Sequence, residues 1–125
     1  MRSRCARTFA ELEVYQVAMS AAQRVFEITK SFPPEEAYSL TDQVRRSSRS
    51  VGAQIAEAWA KRRYVRHFTS KLTDADAEVQ ETQHWLAVAC ACGYLSTDEA
   101  TELCSEFKSI GRMLYSMLDK ASSFC

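Results

Sequence analysis

Residues 68–89 read FTSKLTDADAEVQETQHWLAVA, and the spacing of the apolar members decides the fold. Phe68, Leu72, Ala75, Val79, Thr82, Leu86 and Ala89 return at steps of three and four. An α-helix turns once every 3.6 residues, so that spacing puts them on one face. A half-buried strand would alternate every second position instead. Gly93 follows one turn later and suits a left-handed C-cap. A helix over about 65–92 is predicted.

The same period continues on both sides of this stretch. After it, Ser96-Thr97-Asp98-Glu99 is a capping box, in which serine and glutamate satisfy two free backbone N–H groups. Leu103, Phe107, Ile110, Leu114, Met117 and Ala121 then mark a last helix over about 97–121. The tail from Ser122 to Cys125 is expected to fray. Before it, Leu40, Val44, Ser47, Val51, Ile55 and Ala58 mark a helix over about 35–62. No Gly or Pro punctuates its end near Arg62 to Val65. A second line on this helix is all small: Ser48, Gly52, Ala56 and Ala60. Gly within a helix costs about 1 kcal/mol relative to Ala, so Gly52 is expected at a tight helix–helix contact inside the bundle.

The first helix is predicted over about 9–31, opened by a capping box at Thr8-Phe9-Ala10-Glu11. It carries two apolar stripes. One holds Leu12, Tyr15, Met19, Ala22, Phe26 and Thr29; the other holds Val14, Ala18, Ala21, Val25 and Ile28. So wide an arc needs two neighbours, or one neighbour and another subunit. Phe32-Pro33-Pro34 ends this helix, since a residue before proline is pushed out of the α region. Pro34 suits the first turn of the next helix, and Glu35 and Glu36 suit its positive end. Long helices joined by short loops pack as antiparallel neighbours. The predicted fold class is all-α, an antiparallel up-down-up-down four-helix bundle in one domain spanning 1–125.

Composition supports that architecture. The chain has 125 residues, 46% of them hydrophobic, which argues against disorder. Only 3 Gly and 2 Pro are present, too few for the tight turns of a sandwich or barrel. The net charge is zero, but the charges are segregated. Residues 43–71 hold eight Lys/Arg and one acid, Glu57; residues 72–107 hold eight acids and no Lys or Arg. Such segregation marks either a binding face or two segments that lie against one another, within a subunit or across an interface. The 5 cysteines, Cys5, Cys90, Cys92, Cys104 and Cys125, are odd in number and lack framework spacing. Reduced thiols in a cytoplasmic protein are expected, with Cys104 and one of Cys90 and Cys92 serving as small core residues. Met1 to Arg7 is basic but leads into no apolar run, so no signal peptide is expected. No stretch approaches membrane-spanning length, and no membrane partner is expected.

Candidate chemistry is sparse. Glu81 and His84 have the Glu-x-x-His spacing of di-iron bundles, but that centre needs a second copy. The other histidine, His67, has Tyr64 where its glutamate would stand. There is no phosphate-binding Gly loop and no nucleophile elbow. Ser47, Ser48 and Ser50 are expected to pack, as are Trp59 and Trp85. No catalytic residue, metal or cofactor is expected.

The arginines of the second helix are the candidate binding residues: Arg45, Arg46 and Arg49, then Arg62, Arg63 and Arg66. Arginine grips phosphate in bidentate fashion, and each neutralised phosphate releases counterions. An RNA or DNA footprint is one reading. Against it, no base-stacking aromatic is expected among these arginines, and the pI is about 6.7, below that of dedicated nucleic-acid domains. A structural use is the other reading. Glu57 precedes Lys61 by four residues, a favourable helix ion pair. Arg46, Ser50, Ala53 and Glu57 share one face, where a polar ladder would fix helix register.

Gln43-Val44-Arg45-Arg46, Ser50-Val51 and Gln54-Ile55-Ala56-Glu57 resemble the signature of the 23S rRNA intervening-sequence protein family, the S23-type four-helix bundles. Other pieces agree in order: Phe9 to Tyr15 with the opening helix, Phe32 to Leu40 with the first loop, and Ala75 to Leu95 with the third helix and its turn. The likeness runs from about Phe9 to Leu118. The family usually has Asn at the position of Gln54 and Gly at that of Ala58. The resemblance implies an up-down bundle assembled as a ring-shaped homopentamer, with Gln43, Arg46, Ser50, Gln54 and Glu57 as the polar residues of its motif. The family is also similar in fold to the accessory variability protein of diversity-generating retroelements, a pentamer that binds a reverse transcriptase and nucleic acid. The expected function is therefore a non-enzymatic, homo-oligomeric binding or scaffold module; an RNA-binding accessory factor using the six arginines is the alternative.

Overall fold

The computed structural model describes residues 6–123, so Cys5 and Cys125, and the prediction of reduced thiols there, lie outside the described residues. Four α-helices make up the body: α1 (Glu13–Thr29), α2 (Leu40–Ala60), α3 (Val65–Ala91) and α4 (Thr97–Asp119). No strand occurs among the described residues. Each helix packs on the next, and α4 closes back onto α1. Cross-contacts fix the directions. Ser47 meets Thr82 and Glu57 meets Lys71, so α2 and α3 run antiparallel. Arg45, near the start of α2, reaches Thr29 at the end of α1. The predicted antiparallel four-helix bundle is the observed fold.

The core follows the stripes. On α2 all six predicted positions, Leu40 through Ala58, are buried, and on α3 all seven are. Phe68, Leu72, Leu86, Phe107, Ile110 and Leu114 fill the centre. Full burial of one such side chain stabilises the fold by roughly 1.5–3 kcal/mol. On α1 the stripe through Val14, Ala18, Ala21 and Val25 takes the core. The companion stripe is split: Ala22 and Thr29 are buried, Tyr15 and Phe26 are half-buried, and Met19 is 59% exposed.

Helix ends explain the main departures from expectation. At Thr8 no side-chain cap forms; Phe9–Glu11 is a 3-10 turn, and Leu12 is extended before α1 begins. Glu11 instead accepts the Arg7 N–H at 3.0 Å. The second helix starts at Leu40, not near Glu35. Pro34–Glu36 forms a separate 3-10 turn, and Ser39, at φ −127° and ψ −100°, interrupts the chain before α2. The remaining signals hold. Gly93 has φ +82°. The Gly93 and Tyr94 N–H groups donate to the carbonyls of Cys90 and Ala89, the paired bonds of a Schellman end. Ser96 and Glu99 form both bonds of their capping box. At the C-terminus Ala121–Ser123 adds a 3-10 turn with Ala121 buried; Phe124 and Cys125, the end of the tail expected to fray, lie outside the described residues.

Candidate functional site

The candidate site is the outer surface of α2 with the flank of α1 beside it. The six arginines split into two groups. Near the start of α2, Arg45 donates to Thr29 Oγ1 at 2.8 Å and to the Phe26 carbonyl at 3.4 Å. The Phe26 ring gathers three cations: Arg45 at 4.7 Å, Lys30 at 5.0 Å and Arg49 at 5.3 Å from its centroid. A ring face attracts each of them by about 0.5–1 kcal/mol at an exposed site. Arg45 is thus built into the fold. Arg46 and Arg49 remain exposed, and neither pairs with an acid among the described residues.

At the far end of α2, Arg62 lies over the Trp59 ring at 3.9 Å and donates to the Trp59 carbonyl at 2.9 Å. It caps its own helix. Arg63 and Arg66 are exposed, again with no acid partner among the described residues. Tyr64 stands between them, 61% exposed, its ring edge-on to His67 at 5.9 Å. The sequence reading expected no aromatic among the arginines; the turn between α2 and α3 displays one.

The predicted Glu57–Lys61 pair does not form. Glu57 reaches across to Lys71 on α3 at 2.9 Å, and that contact holds the Lys71 ammonium above its ordinary pKa. Among the described residues one ion pair joins the basic run of α2–α3 to an acid of the run that follows: Lys71 also meets Asp74, at 3.7 Å. The other described cross-helix pairing joins Arg24 of α1 to Glu102 and Glu106 of α4. Segregation of charge is therefore largely uncancelled within one chain.

The motif residues Gln43, Arg46 and Ser50 line a shallow groove of about 450 Å³ with Glu78 and Glu81 of α3. Gln54 follows on the same side, its Oε1 buried without a hydrogen-bond partner. Beneath them the Thr82 hydroxyl donates to Ser47 Oγ at 2.8 Å inside the core. Of the predicted ladder, Glu57 ties α2 to α3 and Arg46 pairs with no acid among the described residues; the Ser47–Thr82 bond is a second tie, from the core stripe.

On the other flank of α2 lies a larger, open and mainly apolar groove of about 830 Å³. Phe9, Tyr15, Met19, Gly52, Ala53 and Ala56 line it, and Arg49 sits on its rim. Gly52 was expected at a tight contact inside the bundle. It is not there. A Cβ at Gly52 would stand 3.5 Å from the Tyr15 ring, an ordinary contact, with nothing nearer. Sequence reasoning found the small line and the wide apolar arc separately, and missed that they face one groove.

Neither Glu81 nor His84 points to a metal: Glu81 accepts the Trp85 indole N–H at 3.0 Å, and exposed His84 packs against the Trp85 ring. Among the described residues no cluster of His, Cys, Asp and Glu suits a metal ion. Cys90 and Cys104 pack against the core, and burial pushes the Cys104 thiol pKa up. Cys92 is exposed. No helix among the described residues is long and apolar enough to cross a membrane.

A family model for 23S rRNA-intervening sequence proteins matches residues 10–116. The chain belongs to that family. It is also similar to a solved structure, a protein of unknown function from the S23 ribosomal protein family of Bacteroides thetaiotaomicron VPI-5482. Identity is 25%, with 84% of this chain and 97% of that chain covered and a TM-score of 0.76. Comparison with curated proteins finds no match. The family resemblance seen in the sequence is therefore confirmed, and neither likeness names a catalytic activity.

Proposed function

We propose that this 23S rRNA-intervening sequence protein is a non-enzymatic binding module that assembles with copies of itself, as a closed ring of five chains. One observation carries the reading: the apolar groove between α1 and α2 is open, and the chain keeps Gly52 there at a cost to its own helix. Met19, more than half exposed, stands beside it. A second copy is the occupant that charge favours. Arg49 on the groove's rim and Arg46 in the neighbouring shallow groove pair with no acid, and Asp98 and Glu78 on the other two helices pair with no base, among the described residues. A surface carrying both signs complements itself when repeated around an axis.

Light scattering at low micromolar concentration tests this. The expected mass is five times the 14.2 kDa of the chain. Met19→Glu puts a charge into the groove without touching the core, so it should dissociate the assembly while helix content stays at the wild-type level. A wild-type monomer would overturn the reading; so would a Met19→Glu protein of unchanged mass.

A further inference from the structure

The turn between α2 and α3 lies outside the groove proposed for self-assembly. Lys61-Arg62-Arg63-Tyr64-Val65-Arg66-His67 has four Lys/Arg in seven residues and no acid. Lys61, Arg63 and Arg66 are exposed, and none of them forms an ion pair among the described residues. Helix stability accounts for only part of the cluster. Arg62 caps α2, and cations suit the negative end of that helix. Arg66 does the opposite: it sits in the first turn of α3, at its positive end, where no acidic residue offsets it. The charge that works against its own helix is left exposed. Tyr64 and Val65 are exposed beside them, so an apolar ring stands in the middle of the charge.

We infer that this tip binds single-stranded nucleic acid, with Arg63 and Arg66 on successive phosphates and Tyr64 stacked on a base. The chemistry matches on both counts. A guanidinium offers two parallel N–H donors to a phosphate, and an exposed aromatic face stacks any base without reading its identity. Arg62, held by the Trp59 ring, adds fixed positive charge behind them. Phosphates and base faces are common to RNA and DNA, so both should bind.

Fluorescence anisotropy with labelled 20-mers of uridine and of thymidine, over a salt series, gives the test. The wild-type protein should bind both, more weakly as salt rises. Each phosphate contact contributes about 0.7 to the log–log salt slope. Arg63→Ala with Arg66→Ala should therefore lower that slope by about 1.4. Tyr64→Ala should weaken binding by about tenfold and leave the slope unchanged. Light scattering on both variants should return the wild-type mass. Absence of binding at low salt would overturn the inference. So would an unchanged slope in the double variant. Equal binding of polyglutamate, with no loss on Tyr64→Ala, would make this a surface for an acidic protein and overturn it as well.

Discussion

The Glu36 carboxylate shows how one side chain can join distant parts of the chain. One oxygen accepts from the Ser39 hydroxyl at 2.6 Å and the Leu40 N–H at 3.3 Å, capping α2; the other accepts from the Tyr94 hydroxyl at 2.9 Å. Hydrogen bonds from Ser39 and then Tyr94 hold the Glu36 pKa below its ordinary value, and the Glu36 carboxylate pushes the Tyr94 pKa up to about 12. A depressed carboxylate stabilises the fold above its unfolded pKa, and that contribution is lost as pH falls through the folded value. A raised phenol stabilises below its unfolded pKa of about 10, and that contribution is lost as pH rises through the folded value. Thermal melts should show the advantage of wild type over Glu36→Gln shrinking as pH drops below the carboxylate range. The advantage over Tyr94→Phe should shrink between pH about 10 and about 12. Differences that stay constant with pH would show that the bonds contribute nothing through these charges. None of this was legible in the sequence. Glu36 was assigned to the first turn of a helix by its place after Pro34, and Tyr94 lies 58 residues away.

At the scale of the element, the two informative glycines behave in opposite ways. Gly93 occupies a left-handed position, where a side chain costs roughly 1–2 kcal/mol. Gly93→Ala should lower the stability by about that amount. Gly52 lies in a regular helix with room for a Cβ, so Gly52→Ala should stabilise a single chain by up to about 1 kcal/mol. Urea denaturation of both variants at a concentration below assembly checks the two signs. The proposed interface adds a second expectation: Gly52→Ala should weaken assembly while it strengthens the subunit. Local signals were readable where neighbours in sequence make them. The Gly93 end and the Ser96–Glu99 box need only contacts within a few residues, and both formed. The Thr8 box failed because Leu12 is extended and α1 begins beyond it. The start of α2 moved because Ser39 leaves the helical region, which no spacing of apolar residues reveals.

Across the whole molecule, the fold was legible because burial repeats every three or four residues in all four helices. The surface was less so. Which positions of the two α1 stripes would be buried depended on how α2 and α4 pack around them. The destination of Glu57, Lys71 rather than Lys61, depended on α3 lying alongside. Charge counts along the chain left open whether the basic and acidic runs meet within a subunit or across an interface; among the described residues one ion pair, Lys71 to Asp74, joins the two runs. If those charges meet across subunits, sedimentation should show the assembly loosening as salt rises from 0.1 to 1 M, where the screening length falls from about 10 Å to about 3 Å. Mass independent of salt would assign the interface to the apolar groove alone.

The central claim is that a second copy covers the groove of Tyr15, Met19 and Gly52. Peroxide oxidation of Met19, followed by mass spectrometry across protein concentration, probes it directly, because Met19 is 59% exposed in the single chain and a covered thioether reacts slowly. The account predicts that Met19 oxidises slowly at assembling concentrations and rapidly on dilution. Oxidation at one fast rate at every concentration would contradict it.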